Sequence, residues 1–339
     1  MSEPIVSVIL PVYQNMDCIR DTVQSLQRQT LKDIEIIFVD DGSTDQGPRI
    51  LEEYAEKDPR IRVEYQAHQN AGAARNRGID LASGTFLCFL DADDLFDPEL
   101  LETGSRVMTD ERSDVLVFPA DRFHTETGET ELMPWSFVET YLPDHSPFSP
   151  DEMKRHLFNS FQNWPWNKMF RSSFVHDRGL RFQEIPRTND MYFTCMALAQ
   201  AERISVLKKT LVHYRIGRST NSQSTNFLYP TSFWEAYLKT WQGIQALNLH
   251  PDYSVSLLNK ILNGIMYNIN TLVNTDVYEE VRQFIRDNAE KEFHFLDCAP
   301  EDYDDPAYYQ AYLQLIGKGP KPTLKERIHA HLSSRFEKR

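Results

Sequence analysis

The chain has 339 residues, 41% of them hydrophobic and 25% charged, with a formal net charge of −14. These values exclude wholesale disorder and a fibrous protein. The acidic balance argues against a nucleic-acid partner, because such binding rests on counterion release by a basic surface.

The length predicts two domains, or one large α/β domain with an appendage. The first third alternates strand and helix signals. Residues 5–10 form a short apolar, β-branched run that suits a buried strand. Ile19, Val23 and Leu26 recur at helical spacing. Residues 34–39 read as a second strand, after which Asp45 is placed to cap a helix carrying Ile50 and Tyr54. Residues 61–65 alternate as a third strand. Ala74, Gly78 and Leu81 give the next helix a narrow face of small residues. Residues 85–90 and 114–118 are the fourth and fifth strands. Such alternation predicts a mainly parallel sheet covered on both faces, with ligands at the carboxyl ends of its strands.

Residues 124–150 read as a long loop, and 151–215 as short helices and strands. From about 230 the pattern is helical, with stripes at Trp234, Leu238 and Trp241 and at Leu258, Leu262, Ile265, Ile269 and Leu272. The tail 318–339 holds seven Lys/Arg against two Asp/Glu, with Leu324, Ile328, Leu332 and Phe336 spaced by four. A basic amphipathic helix of this kind meets either an anionic membrane surface or the acidic body of its own chain. The domains are therefore expected at 1–120, 121–225 and 226–339. The four cysteines are far apart, which fits a reducing compartment. There is no run of 18 apolar residues, and the opening Met-Ser-Glu-Pro is unlike a signal peptide. The expected location is cytoplasmic, with peripheral contact at the inner face of the cell membrane. The helical C-terminal region leaves a homodimer open.

Three polar clusters directly follow predicted strands. They are Pro11-Val-Tyr-Gln-Asn15, Asp40-Asp-Gly-Ser-Thr-Asp45 and Asp91-Ala-Asp-Asp94. In a parallel sheet all three meet at one edge, gathering five carboxylates in one cleft. Like charges so close require a neutralising partner, and hard oxygen ligands suit Mg2+ or Mn2+.

Four ordered stretches resemble family 2 glycosyltransferases of the GT-A fold. They are Val6-Ser-Val-Ile-Leu-Pro-Val-Tyr-Gln-Asn15, Val39-Asp-Asp-Gly-Ser-Thr-Asp45, Asn70-Ala-Gly-Ala-Ala-Arg-Asn-Arg-Gly78 and Phe89-Leu-Asp-Ala-Asp-Asp94. The resemblance implies a GT-A sheet of Rossmann type with a helical C-terminal region. It also implies roles for single residues. Pro11 and Tyr13 would line the nucleotide base, and Asp41 would accept the imide N–H of uracil, which favours a UDP-sugar donor. Arg75 would reach the diphosphate or pin the acidic cluster. Asp91 would bind ribose or metal-bound water, and Asp93 would ligate the metal. Asp94 would add to the diphosphate or acceptor site, or cap the helix beginning near Pro98.

Further on, Trp164-Pro-Trp-Asn-Lys168 with Phe170-Arg171 resembles another family stretch, so Trp166 would line the acceptor site or belong to the core. Asp190 matches the catalytic base of an inverting transfer. Asn189 precedes it where the family usually has Glu. His213-Tyr-Arg-Ile-Gly-Arg218 resembles the closing strand and loop, with His213 completing the metal site or simply packed, and Arg215 and Arg218 at the diphosphate. The implied function is a metal-dependent sugar transfer from a nucleotide-sugar to a saccharide or lipid-linked saccharide, in surface polysaccharide synthesis. The alternatives are an inactive glycan- or nucleotide-binding relative, or a nucleotidyltransferase of similar fold. The latter would need a Gly-rich basic loop where Pro11-Val-Tyr-Gln-Asn15 stands.

Overall fold

The computed structural model describes residues 3–136, 138–217 and 228–319. Contacts divide the chain into two compact units, Met1–Leu257 and Leu258–Arg339.

The first unit begins with alternating elements: β1 (Val6–Val12), α1 (Ile19–Gln27), β2 (Ile34–Asp40), α2 (Gly47–Ala55), β3 (Ile61–Tyr65), α3 (Asn70–Leu81) and β4 (Phe86–Phe89). It continues through β5 (Leu95–Phe96), α4 (Leu100–Glu111), β6 (Val115–Val117), β7 (Ala120–His124) and β8 (Thr130–Leu132). Then come α5 (Leu157–Ser160), β9 (Lys168–Arg171), α6 (Ser172–Asp177), α7 (Asp190–Gln200), β10 (Ile204–Val206), β11 (Val212–Ile216) and α8 (Ser232–Ala246).

A seven-stranded sheet runs in the order β10-β6-β9-β4-β1-β2-β3. All its pairs are parallel except those of β9, which lies antiparallel between β4 and β6. β1 is central and almost wholly buried, as its β-branched run requires. β9 and β10, from beyond residue 121, complete the sheet that β1 to β4 and β6 begin. A second sheet, β5-β11-β7-β8, takes up part of the 124–150 segment expected to be a loop. Its strand β8 is short and fully exposed, with too little apolar content to signal itself.

The small-residue face of α3 is an actual close contact. A Cβ built at Gly78 would lie 2.2 Å from Ile9 Cγ2 on β1, and one at Gly72 would lie 1.9 Å from the Gln183 carbonyl oxygen. Helix α3 therefore sits tight against the sheet and against the loop that leads into α7.

α8 packs on α7 through Phe233, Trp234, Ala236, Tyr237 and Ile244. That face is rotated from the expected stripe, and Leu238 and Trp241 keep partial exposure. Gly243 explains the rotation, since a Cβ there would meet Tyr192 and Met196 of α7 within about 3 Å.

α9 (Pro251–Thr271) crosses the boundary between the units, and α10 (Tyr278–Phe293) and α11 (Pro306–Leu315) follow. Within the second unit the expected stripe from Leu258 to Leu272 is buried throughout. Asn259 ties α9 to the 302–304 turn, donating to the Asp302 carbonyl and accepting from the Asp304 N–H. Among the described residues, no helix is long and apolar enough to cross a membrane. Arg218 and all but two residues of the basic tail lie outside the described residues.

The packing of α3 gives a stability prediction. Gly78→Ala forces Ile9 or α3 to shift and should cost about 1–3 kcal/mol. The measurement is the urea midpoint; an unchanged midpoint would show that the contact relaxes freely.

Candidate active site

The registers Val12↔Asp40 and Ile9↔Phe89 bring the carboxyl ends of β1, β2 and β4 to one edge. The three polar clusters meet there. Asp45 links two of them, accepting from the Met16 N–H at 2.9 Å and the Gly47 N–H at 2.9 Å. Gly42 has φ +79°, and a Cβ there would press on the His68 nitrogen at 3.1 Å. Only glycine makes that turn without strain.

Asp41 is 2% exposed and saturated. One oxygen accepts from Gln66 Nε2 and the Gln69 N–H, each at 2.8 Å. The other accepts from the Asn70 N–H at 2.8 Å and faces His68 Nδ1 at 2.8 Å. Four partners are what a carboxylate can hold. Asp41 thus fixes the 66–70 loop and the start of α3. Its neighbour Asp40 is also buried, with one oxygen accepting from the Ser43 N–H at 3.2 Å and the other unpartnered. Tyr13 stands 47% exposed, its ring stacked on His68 at 4.4 Å. Pro11 lies one step inside the same strand end.

Arg75 is 6% exposed and joins two elements. Nη2 donates to Asp91 Oδ1 at 2.7 Å, and Nη1 donates to Asn189 Oδ1 at 2.8 Å. The Phe182 ring lies 5.3 Å from the guanidinium carbon. Both terminal nitrogens of Arg75 are engaged within the protein.

Asp94 is wholly buried and is neither a helix cap nor open to a ligand. One of its oxygens accepts the Arg215 N–H at 2.9 Å, and the other has no partner. Burial, then Asp93 and Asp91, raises its carboxyl well above the usual range. Arg215 is buried too, donating from Nε to the Asp93 carbonyl at 2.7 Å and from Nη2 to Asp21 at 3.1 Å. These bonds tie Arg215 to the backbone of the acidic turn and to α1. His213 is engaged by Asp121 at 2.7 Å, across the β11–β7 pair. Among the described residues, no group of three or more His, Cys, Asp or Glu is arranged to hold a metal ion. Asp91 and Asp93 are both only partly buried. The mutual repulsion of the three acids is what a divalent ion would relieve.

Asp190 opens α7 and accepts from Asn163 Nδ2 at 3.2 Å. Burial raises its pKa, with Asp91 adding to the rise; Arg75, its own N–H and Asn163 act the other way. Asp91, Arg75, Asn189 and Asp190 therefore form one connected group. Asn189, unusual in its position, keeps an oxygen acceptor for Arg75 without adding a second acid beside Asp190.

Trp166 is 5% exposed and closed on both faces, by Trp164 at 4.6 Å and by Tyr214 at 5.8 Å. It is core and does not line a site. Sequence reasoning missed Asn163, His68 and Tyr214. The Tyr214 phenol is pushed up to about 12, by burial first and then by Asp94, Asp93 and Asp91, so it stays a hydrogen-bond donor beside the acids. Asn163 and His68 carry no spacing signal, because loops bring them in. Tyr214 lay next to a histidine that drew the attention.

Residues 7–179 match the family described as Glycosyl transferase family 2. Bacillus subtilis EpsH, which is named as a glycosyltransferase, is 36% identical over 65% of this chain and 63% of its own length. Escherichia coli YibD, named as an uncharacterized glycosyltransferase, is 31% identical over 71% of this chain and 70% of its own. The crystal structure of Staphylococcus aureus TarS 1–349 superposes with a TM-score of 0.67 at 26% identity, covering 85% of this chain and 79% of that one. TarS is named as a poly(ribitol-phosphate) beta-N-acetylglucosaminyltransferase, and the match spans 43% of its full length. The sheet order, the converging motifs and these likenesses agree: the chain has the GT-A fold and belongs to glycosyl transferase family 2.

Proposed function

We propose that the chain transfers a sugar from a UDP-sugar to a saccharide hydroxyl, with inversion at the anomeric carbon and with Mn2+ or Mg2+ bound alongside the donor. The observation that carries this reading is the Arg75 bridge, which joins the acid after β4 to the residue preceding Asp190. One guanidinium thereby sets the distance between the donor's acids and the base. Crystals of TarS in complex with UDP support the choice of nucleotide.

In this reading the base lies against Tyr13, beside Pro11. Asp41 acts mainly by ordering the 66–70 loop, and Asp40 offers the unpartnered oxygen nearby. Asp93, assisted by Asp91, holds the cation, which supplies positive charge opposite the leaving UDP. A site of one or two carboxylates completed by substrate phosphates is the usual way to hold Mg2+. Asp190 takes the proton of the acceptor hydroxyl as that oxygen attacks. Asn163 donates to one of its oxygens.

Two tests follow from these assignments. Asp93→Ala should make UDP affinity indifferent to Mn2+ by calorimetry; retained metal dependence would remove Asp93 from the cation site. Asp190→Asn should bind UDP normally but lose turnover of the UDP-sugar by roughly 10²–10⁴-fold.

The pH profile has a definite sign. The base works ionised, so turnover falls as pH drops through its pKa. Burial raises that pKa, which puts the acid limb above the ordinary aspartate value of about 3.9. Arg75→Met removes a cation that favours the ionised form, and Asn189→Glu adds a like charge. Both should move the limb to higher pH. A limb unmoved in both variants would show that Asp190 does not control it.

A further inference from the structure

Tyr13 and Asp41 share a neighbour, His68, in the loop between β3 and α3. The imidazole stacks on the Tyr13 ring, with centroids 4.4 Å apart and planes 26° from parallel. Its Nδ1 lies 2.8 Å from Asp41 Oδ2 and 3.2 Å from the Asp41 carbonyl oxygen. Both of these oxygens accept, so Nδ1 carries a proton and donates. One side chain therefore lays an aromatic face on Tyr13 and directs an N–H at Asp41. These are the two contacts expected of uracil, a flat ring with an imide N–H.

Asp41 is saturated while the imidazole is there. Two of its other partners are the Gln69 and Asn70 N–H groups, which belong to the backbone opening α3. The third, the Gln66 side chain, is partly buried. The His68 side chain is 48% exposed. Its backbone is held on both sides, because the Gln66 N–H donates to the Asp40 carbonyl at 2.9 Å and the Gln69 N–H donates to Asp41. The ring can turn into solvent about its own side-chain bonds while these contacts hold the loop.

We propose that His68 occupies the base subsite of the donor-free protein, and that the donor's base enters by exchange with the imidazole. This rests on the reading of Tyr13 and Asp41 as the base site. The exchange is like for like: one ring stack replaces another, and one N–H bond to the carboxylate replaces another. It lowers donor affinity, because only molecules with His68 turned out are competent to bind. In return, the buried Asp41 carboxylate keeps a full set of donors when no base is bound, and a buried charge short of partners is costly.

Two measurements on the full chain test this. Calorimetry compares UDP binding to the wild type and to His68→Ala, each with Mn2+. The variant should bind UDP roughly two- to tenfold tighter, the range set by releasing one aromatic pair. Equal or weaker binding overturns the proposal, since a ring that supports the base would be missed on its removal. The second measurement is made on the wild type. In deuterated protein with protonated His and Tyr rings, His68→Ala assigns the His68 signal. The NOE between His68 and Tyr13 should be present without UDP and lost at saturation. An NOE that persists at saturation, or is absent from the start, overturns the proposal. If neither protein binds UDP, the proposed function itself fails; if the wild type binds and the variant gains nothing, only the occlusion by His68 fails.

Discussion

A single buried guanidinium sets the geometry of this site. Arg75 carries a positive charge out of water and holds it between Asp91, at the end of β4, and Asn189, at the start of α7. Removing one partner of such a pair is costly, because the buried guanidinium is left uncompensated. The pairing is therefore hard to loosen locally. It works only because α3 presents Arg75 at the right depth. Gly72 lets the start of α3 touch the 183–189 loop, and Gly78 lets the helix settle onto β1. Asp41 fixes the helix start by accepting the Gln69 and Asn70 N–H groups. Sequence pattern, helix placement and the spacing of the acids form one chain of causes.

The same logic extends to the acidic turn. Asp94 and Arg215 are buried together under it, and Thr22 on α1 donates to the Asp94 carbonyl at 2.8 Å. Several polar residues that a motif reading assigns to ligands are held by the protein itself. Asp41, Arg75, Asp94 and Arg215 each bond to other residues of the chain, while Tyr13 is exposed and Asp91, Asp93 and Asp190 are only partly buried. Preorganisation of this kind has a physical basis, since a site already rigid loses little entropy when a ligand arrives.

Much of this was readable from the sequence. The parallel core strands announced themselves because both their faces are largely buried and their residues are mostly apolar. The convergence of the three clusters followed from strand direction alone. The small-residue face of α3 was visible because only Gly and Ala permit that approach. What stayed hidden depends on distant partners. The antiparallel insertion of β9 between β4 and β6 leaves no local mark, since Lys168-Met-Phe-Arg171 would read the same in either direction. The buried face of α8 differs from its strongest apolar stripe because Gly243 decides which side can approach α7. The saturation of Asp41 needs a loop 25 residues away. Trp166 and Trp164 are two residues apart and chemically alike, yet Trp166 is buried in the core and Trp164 only partly, a difference that the local sequence does not mark.

The central proposal is a UDP site that takes up a divalent ion with the donor. Calorimetric titration of the full chain with UDP and with GDP, each in Mn2+ and in chelator, tests it most directly. The account predicts that UDP binds tighter than GDP and that chelation weakens it sharply. Equal affinity for the two nucleotides, indifference to Mn2+, or no binding of UDP would contradict it.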